Sequence, residues 1–181
     1  MIHPWRDLSP GKHPPDEVTA VIEIPSGSRN KYELDKESGM IKLDRVLYSA
    51  VHYPGDYGFV PRTLAEDGDP CDMLVLLNEP TFPGCLIDVR PIGVLRMVDR
   101  GVPDDKILGV PIEDPFYHEY FDIADIPQHY LKEVEHFFRI YKDLEGKRVQ
   151  TLDWEPCEAA KVEIQEAMQR YREVYVMGTG P

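Results

Sequence analysis

The chain is 181 residues long, with 42 % hydrophobic and 29 % charged residues, a composition that fits one packed domain and excludes a disordered or collagen-like chain. Its 20 Lys and Arg stand against 33 Asp and Glu, and the resulting net charge of −13 repels nucleic-acid phosphates and anionic membranes while suiting divalent cations. Cys71, Cys85 and Cys157 have neither disulfide-framework nor zinc spacing, and no apolar run approaches the roughly 18 residues of a membrane span, so a cytoplasmic protein is expected.

Residues 1–17 form a proline-rich arm expected to lie extended over the surface, with four prolines in its first sixteen positions. Short β-rich segments follow at 18–24, 31–34, 40–47, 73–77, 86–99 and 106–112, separated by turn clusters such as DKESG. Between them YPGDYGFVP (53–61), broken by Pro and Gly, reads as an aromatic loop rather than a regular element. A helix is predicted near 126–145, where Leu131, Val134, Phe137, Phe138, Tyr141 and Leu144 recur at helical spacing. A second is predicted near 154–175 on Val162, Ala167, Met168 and Tyr171, with Asp125 and Asp153 as the N-caps of the two. Strands first and helices last give an α+β class, a small antiparallel barrel or sheet with two main helices packed outside. No internal repeat or linker divides residues 1–181, and 176–181 form a tail.

Asp67-Gly68-Asp69-Pro70-Cys71-Asp72 packs three carboxylates into one turn. Two carboxylates about 6 Å apart repel by roughly 0.7 kcal/mol in water and about 2.8 kcal/mol at an effective dielectric near 20, so this turn needs either a cation or full solvation. An EF-hand is excluded, because Asp72 and Asn78 stand where that loop needs Gly and Glu. A second acidic group, Asp99, Asp104 and Asp105, closes a strand just ahead of Lys106. Glu23, Lys31, Glu33 and Arg45 lie in strand segments, where a lone Lys-x-Glu, like Arg45, reads by default as a cross-strand ion pair on a solvated face, while Tyr141-Lys142 lies on the first helix. No HExxH, P-loop or Gly-x-Ser-x-Gly is present, which leaves a protein nucleophile without support.

In order along the chain, VIEIP, KYELDKESG, LDRV, YPGDYGFVP, DGDPCD, the segment from Asp99 to Lys106 and HFFRIYKDLEGK resemble the family I soluble inorganic pyrophosphatases, from about Val18 to Met168. Cys71 departs from the aliphatic residue usual there. The resemblance implies a closed Greek-key barrel like an OB-fold and hydrolysis of pyrophosphate to two phosphates by a metal-bridged hydroxide. It implies several Mg2+ ions, with Mn2+ or Zn2+ as substitutes, and a homo-oligomer, a hexamer being favoured. It makes Asp67, Asp72 and Asp104 ligands of one metal, with Asp72 bridging to a second, and gives a further ion to Asp99 and Asp104. Glu33 then serves an additional metal or its waters, Glu23 supports it, and Asp69 is the general base. Lys31, Arg45, Tyr141 and Lys142 become phosphate binders with Tyr57 and Lys106 beside them, whereas packing explains Tyr53 equally well. Two rival readings are a non-catalytic OB-fold binding module, which leaves the carboxylates unexplained, and a calcium-dependent structural protein, which leaves the bases without a task.

Overall fold

The computed structural model describes residues 2–178. Among the described residues the strands are β1 (Val18–Ile24), β2 (Asn30–Leu34), β3 (Ile41–Val46), β4 (Asp56–Phe59), β5 (Asp72–Val75), β6 (Leu86–Asp99), β7 (Val102–Pro103), β8 (Lys106–Pro111) and β9 (Val149–Pro156). The helices are α1 (Pro4–Asp7), α2 (Gln128–Ile140) and α3 (Cys157–Tyr171). β1 pairs with β4, β4 with β5, β5 with β8, β8 with β6, and β6 returns to β1, so the strands close a ring. The ring is α+β and closed as expected, but not wholly antiparallel, because β5 and β8 run parallel. The long β6 makes closure possible: its register shifts between Pro91 and Gly93, where a proline has no N–H to give the ladder. One edge of β6 serves β1 and then β9, and the other serves β8. β2 and β3 stand off as a separate hairpin.

Alternation along the strands sends successive side chains to two cores. Leu74 and Leu108 join Leu131, Val134, Phe137 and Phe138 of α2, while their neighbours Met73, Val75 and Ile107 join Ala160, Ile164 and Ala167 of α3. A fully buried side chain of this size contributes roughly 1.5–3 kcal/mol, so these faces fix both helices on the ring.

Several expectations are corrected. YPGDYGFVP contains β4, because Gly58 lets it approach β1: a Cβ there would lie 1.9 Å from the Val21 carbonyl oxygen. The arm is not merely extended over the surface, since α1 buries Trp5, whose Nε1 donates to Thr63 O at 2.7 Å. Neither predicted aspartate caps its helix. Asp153 lies in β9, and the first N–H of α3 is taken by Asp122 Oδ2 at 2.9 Å. Asp125 sits inside a short 3-10 turn that precedes Pro127 and α2. Leu144 and Val162 face solvent, Leu144 because α2 has ended and Val162 because the buried stripe of α3 runs through Ala160, Ile164, Ala167 and Tyr171. The tail residues 179–181 lie outside the described residues.

Candidate active site

A cleft of about 250 Å³ opens where the β2–β3 hairpin faces the turn before β5, the end of β6, the start of β8 and the end of α2. Parallel pairing of β5 with β8 sets Asp72 opposite Lys106, and Asp67 and Asp69 come from the turn just upstream. β6 ends on Asp99, Asp104 starts the approach to β8, and α2 delivers Tyr141 and Lys142. Glu23 rises from β1, Lys31 and Glu33 from β2, Arg45 from β3 and Tyr57 from β4. The fold thus gathers every residue singled out for metal, phosphate or proton transfer into one cleft.

Asp105 and Tyr53 do not join them. Asp105 turns away to Arg96, whose guanidinium also meets Glu155 and Glu163 and so ties β6 to β9 and α3. Tyr53 is packed between Tyr57 and Phe137, with ring centroids 5.4 and 4.8 Å away.

The cations and carboxylates are interleaved. Lys106, only 2 % exposed, contacts both Asp72 Oδ2 and Asp104 Oδ1, and Lys142 donates to Asp99 Oδ2 at 2.7 Å. Lys31 contacts Glu33, and Arg45 contacts Asp44 and lies 2.8 Å from Glu145. Among the described residues no three His, Cys, Asp or Glu side chains stand together as a metal-holding group, because ammonium ions stand between the carboxylates. Lys31 is ion-paired both with Glu33 on its own strand and, at 3.6 Å, with Asp44 across the hairpin, and directly opposite it stands Arg45, which contacts the same Asp44 carboxylate. Like charges facing each other across a hairpin are unfavourable, and here the Asp44 carboxylate offsets the two cations.

Burial pushes the Glu23 carboxyl up to about 8, against a lowering hydrogen bond from Leu34 N–H at 2.6 Å. Burial also raises Asp67 and Asp72, and for Asp72 the charge of Asp104 adds to the rise while Lys106 opposes it. Burial lowers Lys31 and Arg45 lowers it further, whereas Lys106 is raised despite burial, since Asp72 and Asp104 hold its proton. For Asp99 burial works upward, but the Lys142 hydrogen bond and charge, with Arg100 and Lys106, bring the net shift down. Burial keeps Tyr57 and Tyr141 protonated far above neutrality, so both are neutral hydrogen-bond donors.

Asp99 Oδ1 is buried and, among the described residues, has no hydrogen-bond partner. An orphaned carboxylate oxygen among other hard oxygen donors fits a small divalent cation. Sequence reasoning missed Lys36, Arg100 and Lys147, which also line the cleft. Lys36 was hidden in a turn motif, but Arg100 follows Asp99 directly and Lys147 lies five residues after Lys142, so adjacency to site residues was a usable signal.

A family model described as inorganic pyrophosphatase matches residues 20–172. An inorganic pyrophosphatase of Haloferax volcanii is 51 % identical over 174 residues, covering 96 % of this chain and 98 % of its own. One from Geobacillus stearothermophilus is 58 % identical over 156 residues, covering 86 % of this chain and 94 % of its own. The crystal structure of the inorganic pyrophosphatase from Thermus thermophilus superimposes with a TM-score of 0.88 at 47 % identity, over 91 % of this chain and 97 % of that one.

Proposed function

The chain belongs to the inorganic pyrophosphatase family, and from that premise we infer that its cleft hydrolyses pyrophosphate to two phosphates in a Mg2+-dependent reaction. One observation carries the assignment of roles: the cations read as phosphate binders rest on carboxylates read as metal ligands, Lys106 on Asp72 and Asp104 and Lys142 on Asp99. A divalent ion and a polyanion together satisfy both partners of such pairs, which neither does alone.

In this reading Asp67, Asp72 and Asp104 would hold one ion, Asp72 would also serve a second, and Asp99, through its unpartnered Oδ1, would join Asp104 in holding a third. Glu33 serves a further ion or its waters, and Glu23, bonded to Leu34 N–H, fixes the end of β2 behind them. When bound, Mg2+ would offset the charge of the substrate and ease deprotonation of a water held beside it, and Mn2+ or Zn2+ are expected substitutes. Asp69 accepts the proton of the attacking water. The oxygen of that water bonds to one phosphorus, the bridging P–O bond breaks, and the second phosphate leaves with the electron pair. Lys31 and Arg45, set side by side on the hairpin, hold the phosphate oxygens, Arg45 as a planar fork and Lys31 as a point charge. Lys106 and Lys142 turn from their carboxylates to the substrate, and Tyr57 and Tyr141 donate hydrogen bonds without adding charge.

Residues 1–181 act as one domain in this proposal, supported by the cluster that joins Trp5 to Tyr171. Cytoplasmic location fits the reduced cysteines and the lack, among the described residues, of a helix long and apolar enough to cross a membrane. A homo-oligomer, with a hexamer favoured, would use exposed side chains such as Phe82, Leu86 and Phe116 and is checked by light scattering. Phosphate release from pyrophosphate by the purified protein, with and without Mg2+, tests the central reading; release that ignores Mg2+, or none at all, overturns it.

A further inference from the structure

The turn between β2 and β3 and the amino-terminal helix have no part in the chemistry above, yet both lead to its base. Lys36, from that turn, crosses the mouth of the cleft: its Nζ is ion-paired with Asp69 Oδ1 and donates to Gly68 O at 3.1 Å. We propose that Lys36 is a positioning residue for Asp69, holding one carboxylate oxygen so that the other faces the attacking water. The inference rests on the assignment of Asp69 as the base.

The backbone of Asp69 is fixed by its own turn, its N–H donating to Asp67 Oδ1 at 2.9 Å and its carbonyl accepting from Ala65 N–H at 2.7 Å. Nothing comparable fixes its side chain. The carboxylate is half exposed, Lys36 is its ion-pair partner, and among the described residues Oδ2 has no hydrogen-bond partner. A base that must meet a proton at a set distance loses rate when its side chain samples other rotamers, so one anchored oxygen and one free oxygen is a useful division.

Lys36 is itself held by the amino-terminal segment. Its carbonyl accepts from His3 Nε2 at 3.1 Å and from Arg6 Nη2 at 3.3 Å, and its ammonium stands 5.8 Å from the Trp5 ring centroid. The same segment is anchored on the loop that leads to Asp69: Trp5 donates to Thr63 O, and Arg62 donates to Arg6 O and Asp7 O at 3.1 Å. The arm therefore bridges the turn carrying Lys36 and the loop carrying Asp69, and fixes the separation the ion pair has to span.

The test compares Lys36→Met, which keeps the alkyl stem over Trp5, with Lys36→Arg, alone and on an Asp69→Asn background. An exposed ion pair is a modest contact, so Lys36→Met is expected to lower kcat by about fivefold, leaving KM for pyrophosphate and the calorimetric Mg2+ affinity within about twofold. Lys36→Arg should recover most of kcat, and on the Asp69→Asn background Lys36→Met should have no further effect. Unchanged kcat in Lys36→Met, an equal loss in Lys36→Arg, or additive losses with Asp69→Asn each overturn the proposal. If Asp69→Asn itself leaves kcat intact, the base assignment fails instead, which keeps the two failures apart. Matching thermal midpoints for all variants show that the comparison is between folded proteins.

Discussion

Glutamine at position 23 should stabilise the metal-free protein at neutral pH, although it replaces a carboxylate inside the site. Glu23 is 7 % exposed, and burial lifts its carboxyl from 4.5 to about 8. A carboxyl raised in the folded state binds more protons there than in the unfolded chain throughout the interval between those two values. Stability consequently falls as pH rises across it, by up to about 1.4 kcal/mol per pH unit, and levels off above the folded value. Between pH 5.5 and 7.5, keeping Glu23 protonated in the fold while the unfolded chain ionises therefore costs roughly 2–3 kcal/mol. Glu23→Gln keeps an oxygen for Leu34 N–H and cannot ionise, so its stability relative to the parent should rise by about that amount between pH 5.5 and 7.5. Asp67 and Asp72 are also raised by burial and contribute their own slope to both proteins, so the difference between the two isolates Glu23. Urea unfolding with a chelator present, at pH 5.5, 6.5 and 7.5, reads this directly. Parallel pH profiles, or a variant less stable at pH 7.5, would refute the reasoning. Saturating Mg2+ should shrink the gap, because added positive charge favours the ionised carboxylate.

Asp72→Asn takes a negative charge from two proposed coordination spheres, so Mg2+ affinity and turnover should fall together; Asp69→Asn should spare Mg2+ affinity in calorimetry while lowering turnover by about 10²–10⁴-fold. Higher pH should return part of the Asp69→Asn loss, as hydroxide replaces the missing acceptor, and equal metal losses in the two variants would sink their division of labour. ATP should be a much poorer substrate than pyrophosphate in a phosphate-release assay, since a 250 Å³ cleft has little room for a nucleoside. Cys71 is fully enclosed and burial drives its thiol strongly upward, so the native protein should resist alkylation at this position by mass spectrometry, and Cys71→Val should keep both activity and thermal midpoint.

What was legible in the sequence was local. Glu23, Asp72 and Lys106 sit in short segments whose residue order alone carries their meaning, and the ring brings those segments together. What was missed depends on contacts between distant segments. β4 needs Gly58 because the Val21 carbonyl crowds it, and α3 is capped by Asp122 rather than by the neighbouring Asp153; neither partner can be read from spacing. β9 was overlooked because only half of VQTLDWEP is apolar, and it becomes a strand by pairing along the free edge of β6. Trp5 looked like part of a loose arm because its pocket is assembled from Val21, Phe59 and Tyr171.

The pairing of Lys106 with Asp72 and Asp104, and of Lys142 with Asp99, also sets the thermodynamics of loading. Pyrophosphate alone would have to detach ammonium groups and leave buried carboxylates bare, while a metal ion alone would leave buried ammonium groups without a counter-charge. Each ligand thus removes the penalty opposing the other, which is positive heterotropic coupling, and linkage requires the enhancement to be the same in both directions. Mg2+ titrations with and without a slowly hydrolysed bisphosphonate would therefore measure, in one cycle, how strongly the enclosed charges hold the empty site in balance.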